Sequence, residues 1–136
     1  MTEFSEVERD EIPVQLVRVP DGLEHIRHAW DELESVVDLH GRHFYGAFDP
    51  VADDYCACVE VREGDELVQG LESGTLPGGR YLRAGLRGEP PGVYERIGPT
   101  FDELAREATP DTSRPSLEHY RRRDEIDLLL PVQGSA

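Results

Sequence analysis

The chain contains no lysine. All 14 of its basic side chains are arginines, set against 29 aspartates and glutamates, and the formal net charge is −15. A field of that sign repels nucleic-acid phosphates and attracts cationic small molecules, so direct DNA binding is set aside. The only basic run, Arg121–Arg122–Arg123, is short and has acids close on both sides; it reads as a solvated turn rather than a phosphate site. No stretch of 18 apolar residues occurs, which excludes a transmembrane helix. The opening MTEFSEVERDE is acidic and lacks the apolar centre of a signal peptide. The expectation is a cytoplasmic protein without membrane contact.

Cysteine is scarce too. Cys56 and Cys58 are the only two, and on a strand they share one face. An extended chain holds alternate Cα atoms near the ~7 Å limit for a disulfide, so they read as small buried hydrophobes in a reducing compartment. No CxxC or HxxxH set supplies metal ligands. His25 and His28, three apart on a helix, could begin a metal site, but no third ligand is evident. Gly78, Gly79 and Gly92 follow neither GxGxxG nor Walker spacing and are turn residues. No Ser–His–Asp or Cys–His set is apparent. No metal and no cofactor are expected.

The 136 residues, 38% hydrophobic, suit one domain with a modest core. Residues 1–11 are expected to be an acidic, disordered tail and 12–133 the folded domain. Val14–Val19 alternates as a strand. Asp21 and Glu24 suggest a capping box, after which Leu23, Ile26, Trp30, Leu33 and Val37 recur at helical spacing to about Leu39, with Gly41 as the stop. Strands are predicted at Arg42–Phe48 and Asp54–Arg62, joined at Asp49–Pro50. A polar loop containing SGTLPGG leads to a strand at Arg80–Arg87. Val93, Ile97, Phe101 and Leu104 then mark a second helix interrupted at Gly98–Pro99. The last strands are Leu117–Tyr120 and Ile126–Val132.

A shift of 71 residues superimposes the chain on itself. Pro20 falls on Pro91, Ile26 on Ile97 and Trp30 on Phe101, and DEL at Asp31–Leu33 falls on DEL at Asp102–Leu104. In the same register Tyr55, Ala57, Val59 and Val61 land on Ile126, Leu128, Leu130 and Val132. A helix face and a strand face agreeing without a gap point to an internal repeat, with halves at about 14–62 and 80–132. Neither half could bury its helix alone. The predicted fold is α+β: a duplicated β-α-β-β unit with pseudo-twofold symmetry, an antiparallel sheet carrying two long helices on one face. A pocket is expected at the seam of the halves.

The segments FYGAF, LPGGRYLRAGLRGE, PPGVYERIGPTFDEL and RPSLEHYRRRDEIDLLLPV, in that order, resemble the GyrI-like small-molecule-binding domain, which is also the effector-binding domain of AraC-type and MerR-type regulators. The most specific part is the ending carried by Pro115, Glu118, Tyr120, Glu125, Ile126, Asp127, Leu128, Pro131 and Val132. The match runs from about Val14 to Val132. It implies the duplicated fold and a cleft lined by aromatics, with an acid that meets cationic or polar aromatic ligands; that acid is carried over onto Glu118. It also implies a stand-alone member, because the helix-turn-helix part of the regulators has no counterpart here. The segment at Pro20–Leu23 is shorter than the family pattern, which puts the cleft wall there in doubt.

The register places Glu118 opposite Ala47 of the first half. In an apolar pocket such a carboxylate is under-solvated, and it either recruits a cation or holds a raised pKa. Trp30, Tyr45, Tyr55, Tyr94 and Tyr120 are the candidate cleft aromatics: flat π faces with polar handles suit a planar cation. Phe44, Phe48 and Phe101 are assigned to the core, and His119 to the face opposite Glu118. The leading reading is binding of hydrophobic, cationic or aromatic small molecules. The first alternative is a hydrolase that opens cyclopropanoid electrophiles, with Glu118 as general base and Tyr94 holding the substrate oxygen. The second is an acidic protein acting on a partner such as a separate regulator or a topoisomerase.

Overall fold

The computed structural model describes residues 4–38, 41–122 and 124–133. The expected helix end at Leu39 and the third arginine of the basic run, Arg123, lie outside the described residues. In chain order the elements are β1 (Phe4–Arg9), β2 (Ile12–Pro20), α1 (Leu23–Val36), β3 (Phe44–Asp49), β4 (Asp54–Glu60), β5 (Glu72–Leu76), β6 (Gly79–Arg87), α2 (Gly92–Glu95), α3 (Ile97–Glu107), β7 (Ser116–Arg122) and β8 (Glu125–Pro131). The eight strands form one antiparallel sheet in the order β1-β6-β8-β7-β3-β4-β2-β5.

That order is a palindrome about the β7–β3 pair. Reading outward, one half supplies β3, β4 and β2; the other supplies β7, β8 and β6. This is the duplicated unit read from the repeat. The two remaining strands are exchanged between the halves. β1 leads into β2 but pairs with β6, and β5 leads into β6 but pairs with β2. Each exchange crosses six strand spacings, about 29 Å in a flat sheet. Only Asp10–Glu11 and Pro77–Gly78 make these links, and two residues between strand ends reach about 11 Å. The sheet is therefore curled until its edges approach. The links touch: a Cβ added to Gly78 would lie 2.8 Å from both Arg9 O and Glu11 N.

Two sequence expectations are corrected here. Residues 1–11 are not simply a loose tail, because Phe4–Arg9 pair with β6 from Phe4↔Ala84 to Arg9↔Gly79. Val7 packs on the concave core and Phe4 on the opposite one, on the same face as the acidic Glu6 and Glu8, so the backbone ladder outweighs the composition. The polar loop before β6 likewise contains β5, whose pairing with β2 runs from Ile12↔Leu76 to Leu16↔Glu72.

The curl divides the core in three. The concave face buries Val14, Leu16, Tyr45, Ala47, Cys56, Cys58, Tyr81, Leu117 and Leu129. The convex face carries both helices. Ala29 and Leu33 of α1 pack on Val17, Tyr55, Ala57 and Val59. Val93 and Leu104 of α2 and α3 pack on Ala84, Leu86, Ile126 and Leu128. The capping box at Asp21 and Glu24 does not form. The Asp21 N–H donates to Asp53 O, tying the chain to the β3–β4 turn, and Gly22 enters α1 at φ 140° with no side-chain cap. Pro99 lies in the first turn of α3, where a missing N–H breaks no helical hydrogen bond.

Candidate functional site

The two central strands put Glu118 on the convex face, beneath the space between the helices. It pairs directly with Gly46 of β3 on one side and Leu128 of β8 on the other. Gly46 in turn pairs with Ala57, the repeat counterpart of Leu128. The counterpart of Glu118 is therefore Gly46, 72 residues away, and not Ala47. One extra residue in the second half shifts the register, and Ala47 faces the concave core with Leu117.

This glycine makes the site. A Cβ at position 46 would lie 2.1 Å from Tyr55 Oη and 2.4 Å from Glu118 Oε1. Without one, the Tyr55 hydroxyl reaches over the strand and donates to Glu118 Oε1 at 2.8 Å. The Tyr120 hydroxyl donates to the same oxygen at 2.6 Å. Trp30, reaching down from α1, donates its Nε1–H to Tyr55 Oη at 3.1 Å. The chain of donors thus runs Trp30 to Tyr55 to Glu118, with Tyr120 joining from the side. Both phenols converge on Oε1 and neither reaches Oε2. No cationic side chain pairs with Glu118 among the described residues.

Rings close over this carboxylate. Trp30 and Tyr120 meet edge to face at 5.3 Å, and Tyr94 meets Tyr120 at 6.4 Å. Phe44, assigned to the core, is only partly buried and stands 6.3 Å from Trp30. Tyr94 is 44% exposed and sits at the mouth. Burial pushes the Glu118 carboxyl above its ordinary value, and the hydrogen bonds from Tyr120 and Tyr55 pull it partly back by stabilising the charged form. Burial, and then the charge of Glu118, hold Tyr55 and Tyr120 well above the ordinary phenol value, so both remain donors.

Of the residues singled out from the sequence, Glu118, Trp30, Tyr55 and Tyr120 come together, and Tyr94 joins at the rim. Tyr45 does not. It faces the concave side, where its ring stacks on His119 at 4.4 Å. The residue before a glycine on a strand points away from it, and the cleft lies on the glycine's side. Gly46 was missed because a glycine inside a strand carries no chemistry of its own; its signal was the FYGAF motif, where an otherwise bulky strand opens a gap.

Two surface hollows lie elsewhere. One, of about 220 Å³, is lined by Gln15, Val37, Arg42, Val59 and Asp65; its Arg42–Asp65 pair and Gln15 tie down the loop after β4. The other, of about 200 Å³, lies on the concave side by Leu16, Arg18, Ala47 and Cys56. Neither is lined by an under-solvated acid in an aromatic setting. Among the described residues no group of three or more His, Cys, Asp or Glu side chains could hold a metal ion, and no helix is long and apolar enough to cross a membrane.

The elements define a duplicated α+β domain, one antiparallel sheet with helices over one face. The model of the Cass2 family, integron-associated effector binding proteins, matches residues 23–132, and the chain belongs to that family. The fold is shared with solved structures at low identity. An integron cassette protein of Vibrio cholerae, VCH_CASS2, is 16% identical over 96% of this chain and 95% of its own, with a TM-score of 0.77. SAV2435, solved bound to tetraphenylphosphonium, is 15% identical over 97% and 94%, with a TM-score of 0.68. EcmrR, solved in a complex with DNA, is 13% identical; it covers 98% of this chain and 58% of its own, with a TM-score of 0.62. This is the GyrI-like fold that the sequence resembles. No curated protein matches the chain.

Proposed function

We propose that this protein binds a hydrophobic organic cation, with the charge held over Glu118 and the apolar body packed against Trp30, Tyr94 and Tyr120. One observation carries this reading: an under-solvated carboxylate, held by two phenols and approached by no cation of the protein among the described residues, stands within a cluster of aromatic rings. The desolvation cost of that charge is an unused attraction until a cation arrives. Aromatic faces add about 0.5–2 kcal/mol each toward a cation. The global charge of −15 steers cations to the molecule. A neighbour of the same fold solved with tetraphenylphosphonium supports this ligand class.

The test uses tetraphenylphosphonium and Trp30, the only tryptophan, whose emission reports directly on the cleft. Titration is expected to quench it saturably. Glu118→Gln is expected to weaken that binding about tenfold or more, while leaving the affinity for a neutral aromatic of similar size unchanged. Equal loss for charged and neutral ligands would refute charge selection by Glu118. Consumption of a small-ring electrophile, abolished by Glu118→Gln, would replace the binder with an enzyme.

A further inference from the structure

The concave face carries a cluster that the cation cleft does not use. The curl of the sheet brings Arg9, on edge strand β1, over the central strands. There its Nη2 stands 3.4 Å from Tyr45 Oη and 3.5 Å from His119 Nδ1. These are long contacts to neutral groups, at the limit of a hydrogen bond. Arg9 has no carboxylate partner among the described residues, in a chain with 29 acids. His119 is 8% exposed, stacks on Tyr45, and places Nε2 3.4 Å from Nδ1 of the exposed His43. An arginine only donates, so His119 Nδ1 is an acceptor and its proton lies on Nε2, facing His43. His43 then carries an outward N–H.

The next residues along the same face repeat the imbalance. Asp127, directly across from His119, is buried and shared by Arg83 at 2.6 Å and Arg121 at 3.4 Å. Arg121 is half exposed and, among the described residues, is held only by that long contact. Two residues before Asp127 on the same face, Glu125 is taken by Arg87 at 3.5 Å, and the charge of Glu60 reaches Tyr45. In this chain acids outnumber arginines by about two to one. Cations in this setting are expected to sit on acids. Arg9 reaches instead a neutral imidazole and a phenol.

We propose that Arg9, the His43–His119 pair and Arg121, which lies on β7 rather than in the solvated turn its sequence suggests, form a second binding site, on the face opposite Glu118, for a small oxyanion of the phosphate class. The guanidinium forks match its oxygens, charge-assisted donors shorten onto it, and the outward N–H of His43 adds a donor. Burial and the Arg9 charge hold His119 neutral, with a pKa of about 4, so the imidazole presents a fixed tautomer rather than a second competing cation.

The experiment titrates inorganic phosphate into the full chain at pH 7 and constant ionic strength, following the histidine ring signals by NMR and heat by calorimetry. Saturable binding is expected, with the His43 and His119 signals moving together. Arg9→Gln is expected to weaken binding about tenfold, and Arg121→Gln to do the same. Arg18→Gln, removing an arginine paired with Glu72 elsewhere, is expected to leave it unchanged. If Arg9→Gln does not fold, the exposed Arg121 carries the test. No saturable shift of either ring, or equal binding by wild type and Arg121→Gln, overturns the proposal. So does a loss of the same size in Arg18→Gln, which would mark a diffuse charge effect.

Discussion

Gly46 and Glu118 face each other across the two central strands and are also repeat counterparts, so the seam of the molecule sets a missing side chain against an acid. The two depend on one another. The Tyr55 hydroxyl passes through the space that a Cβ at position 46 would fill, at 2.1 Å. Gly46→Ala is therefore expected to expel the Tyr55 hydroxyl and break its hydrogen bond to Glu118. Overpacking of this kind costs about 1–3 kcal/mol, and affinity for tetraphenylphosphonium should fall about tenfold with it. Chemical denaturation and Trp30 quenching check the two effects. A variant with wild-type stability and affinity would show that the gap at Gly46 has no bearing on the site.

The two phenols set the pH dependence of the cleft. Burial raises Glu118, and the hydrogen bonds from Tyr120 and Tyr55 lower it. In the empty protein the raised pKa means that the folded state holds the proton more tightly than the unfolded chain. This group's contribution to stability is full below its ordinary value of 4.5 and is lost as pH rises through the folded value. A bound cation acts the other way, because it favours the carboxylate. Affinity for tetraphenylphosphonium is thus expected to climb as pH rises through the Glu118 pKa and then level off. Tyr120→Phe removes a stabilising donor and should move that midpoint to higher pH; Glu118→Gln should flatten the profile. A profile that falls with rising pH would contradict the assignment.

The sequence carried the architecture further than the site. The shift of 71 residues located both halves because helix and strand faces repeat with their own periods, and those faces now cover each other. Glu118 was reachable only through the resemblance to the GyrI-like family, while Trp30, Tyr55 and Tyr120 stood out as aromatics with polar handles. What the repeat could not reveal was the extra residue before β7, since one residue reverses every side chain of a strand. That slip exchanged Gly46 for Ala47 as the counterpart of Glu118. Tyr45 was misplaced independently, because nothing in the alternation of β3 says which face carries the helices. β1 and β5 were illegible for another reason. Their pairing is to the other half, and acidic or glycine-containing strands owe their stability to partners absent from the local sequence.

His119, next to Glu118 but on the other face, is expected to give the protein an acid limit of the opposite sign. Burial and Arg9 hold its imidazole at a pKa of about 4, against an ordinary 6.5. The folded state therefore resists a proton that the unfolded chain accepts. The stability from neutral His119 is full above about 6.5 and is lost progressively as pH falls to about 4, on the order of 3 kcal/mol in all. Thermal unfolding from pH 7 to pH 4 should show this slope in the wild type, and His119→Gln should remove most of it. An unchanged slope in the variant would place the acid sensitivity elsewhere.

The N-terminal strand offers a last check on how the halves are held together. β1 closes the open edge of β6 along the ladder from Phe4 to Arg9, with Val7 packed on the concave core and Phe4 under the second-half helices. β5 does the same for β2, so each half is edged by a strand that leads into the other. Deleting residues 1–10 exposes the β6 edge and takes Phe4 and Val7 away from the cores they partly cover. A loss of about 2–4 kcal/mol is expected, seen as a lower denaturant midpoint with the transition still cooperative. It should also expose Tyr81 of β6, which is fully buried, pairs with Val7 of β1 and has the Arg114 guanidinium 4.8 Å above its ring. Tyrosine fluorescence is hard to isolate beside Trp30, so near-ultraviolet circular dichroism is the better probe of that ring. If the shortened chain unfolds at the wild-type midpoint, the pairing of β1 with β6 contributes nothing to the stability of the fold.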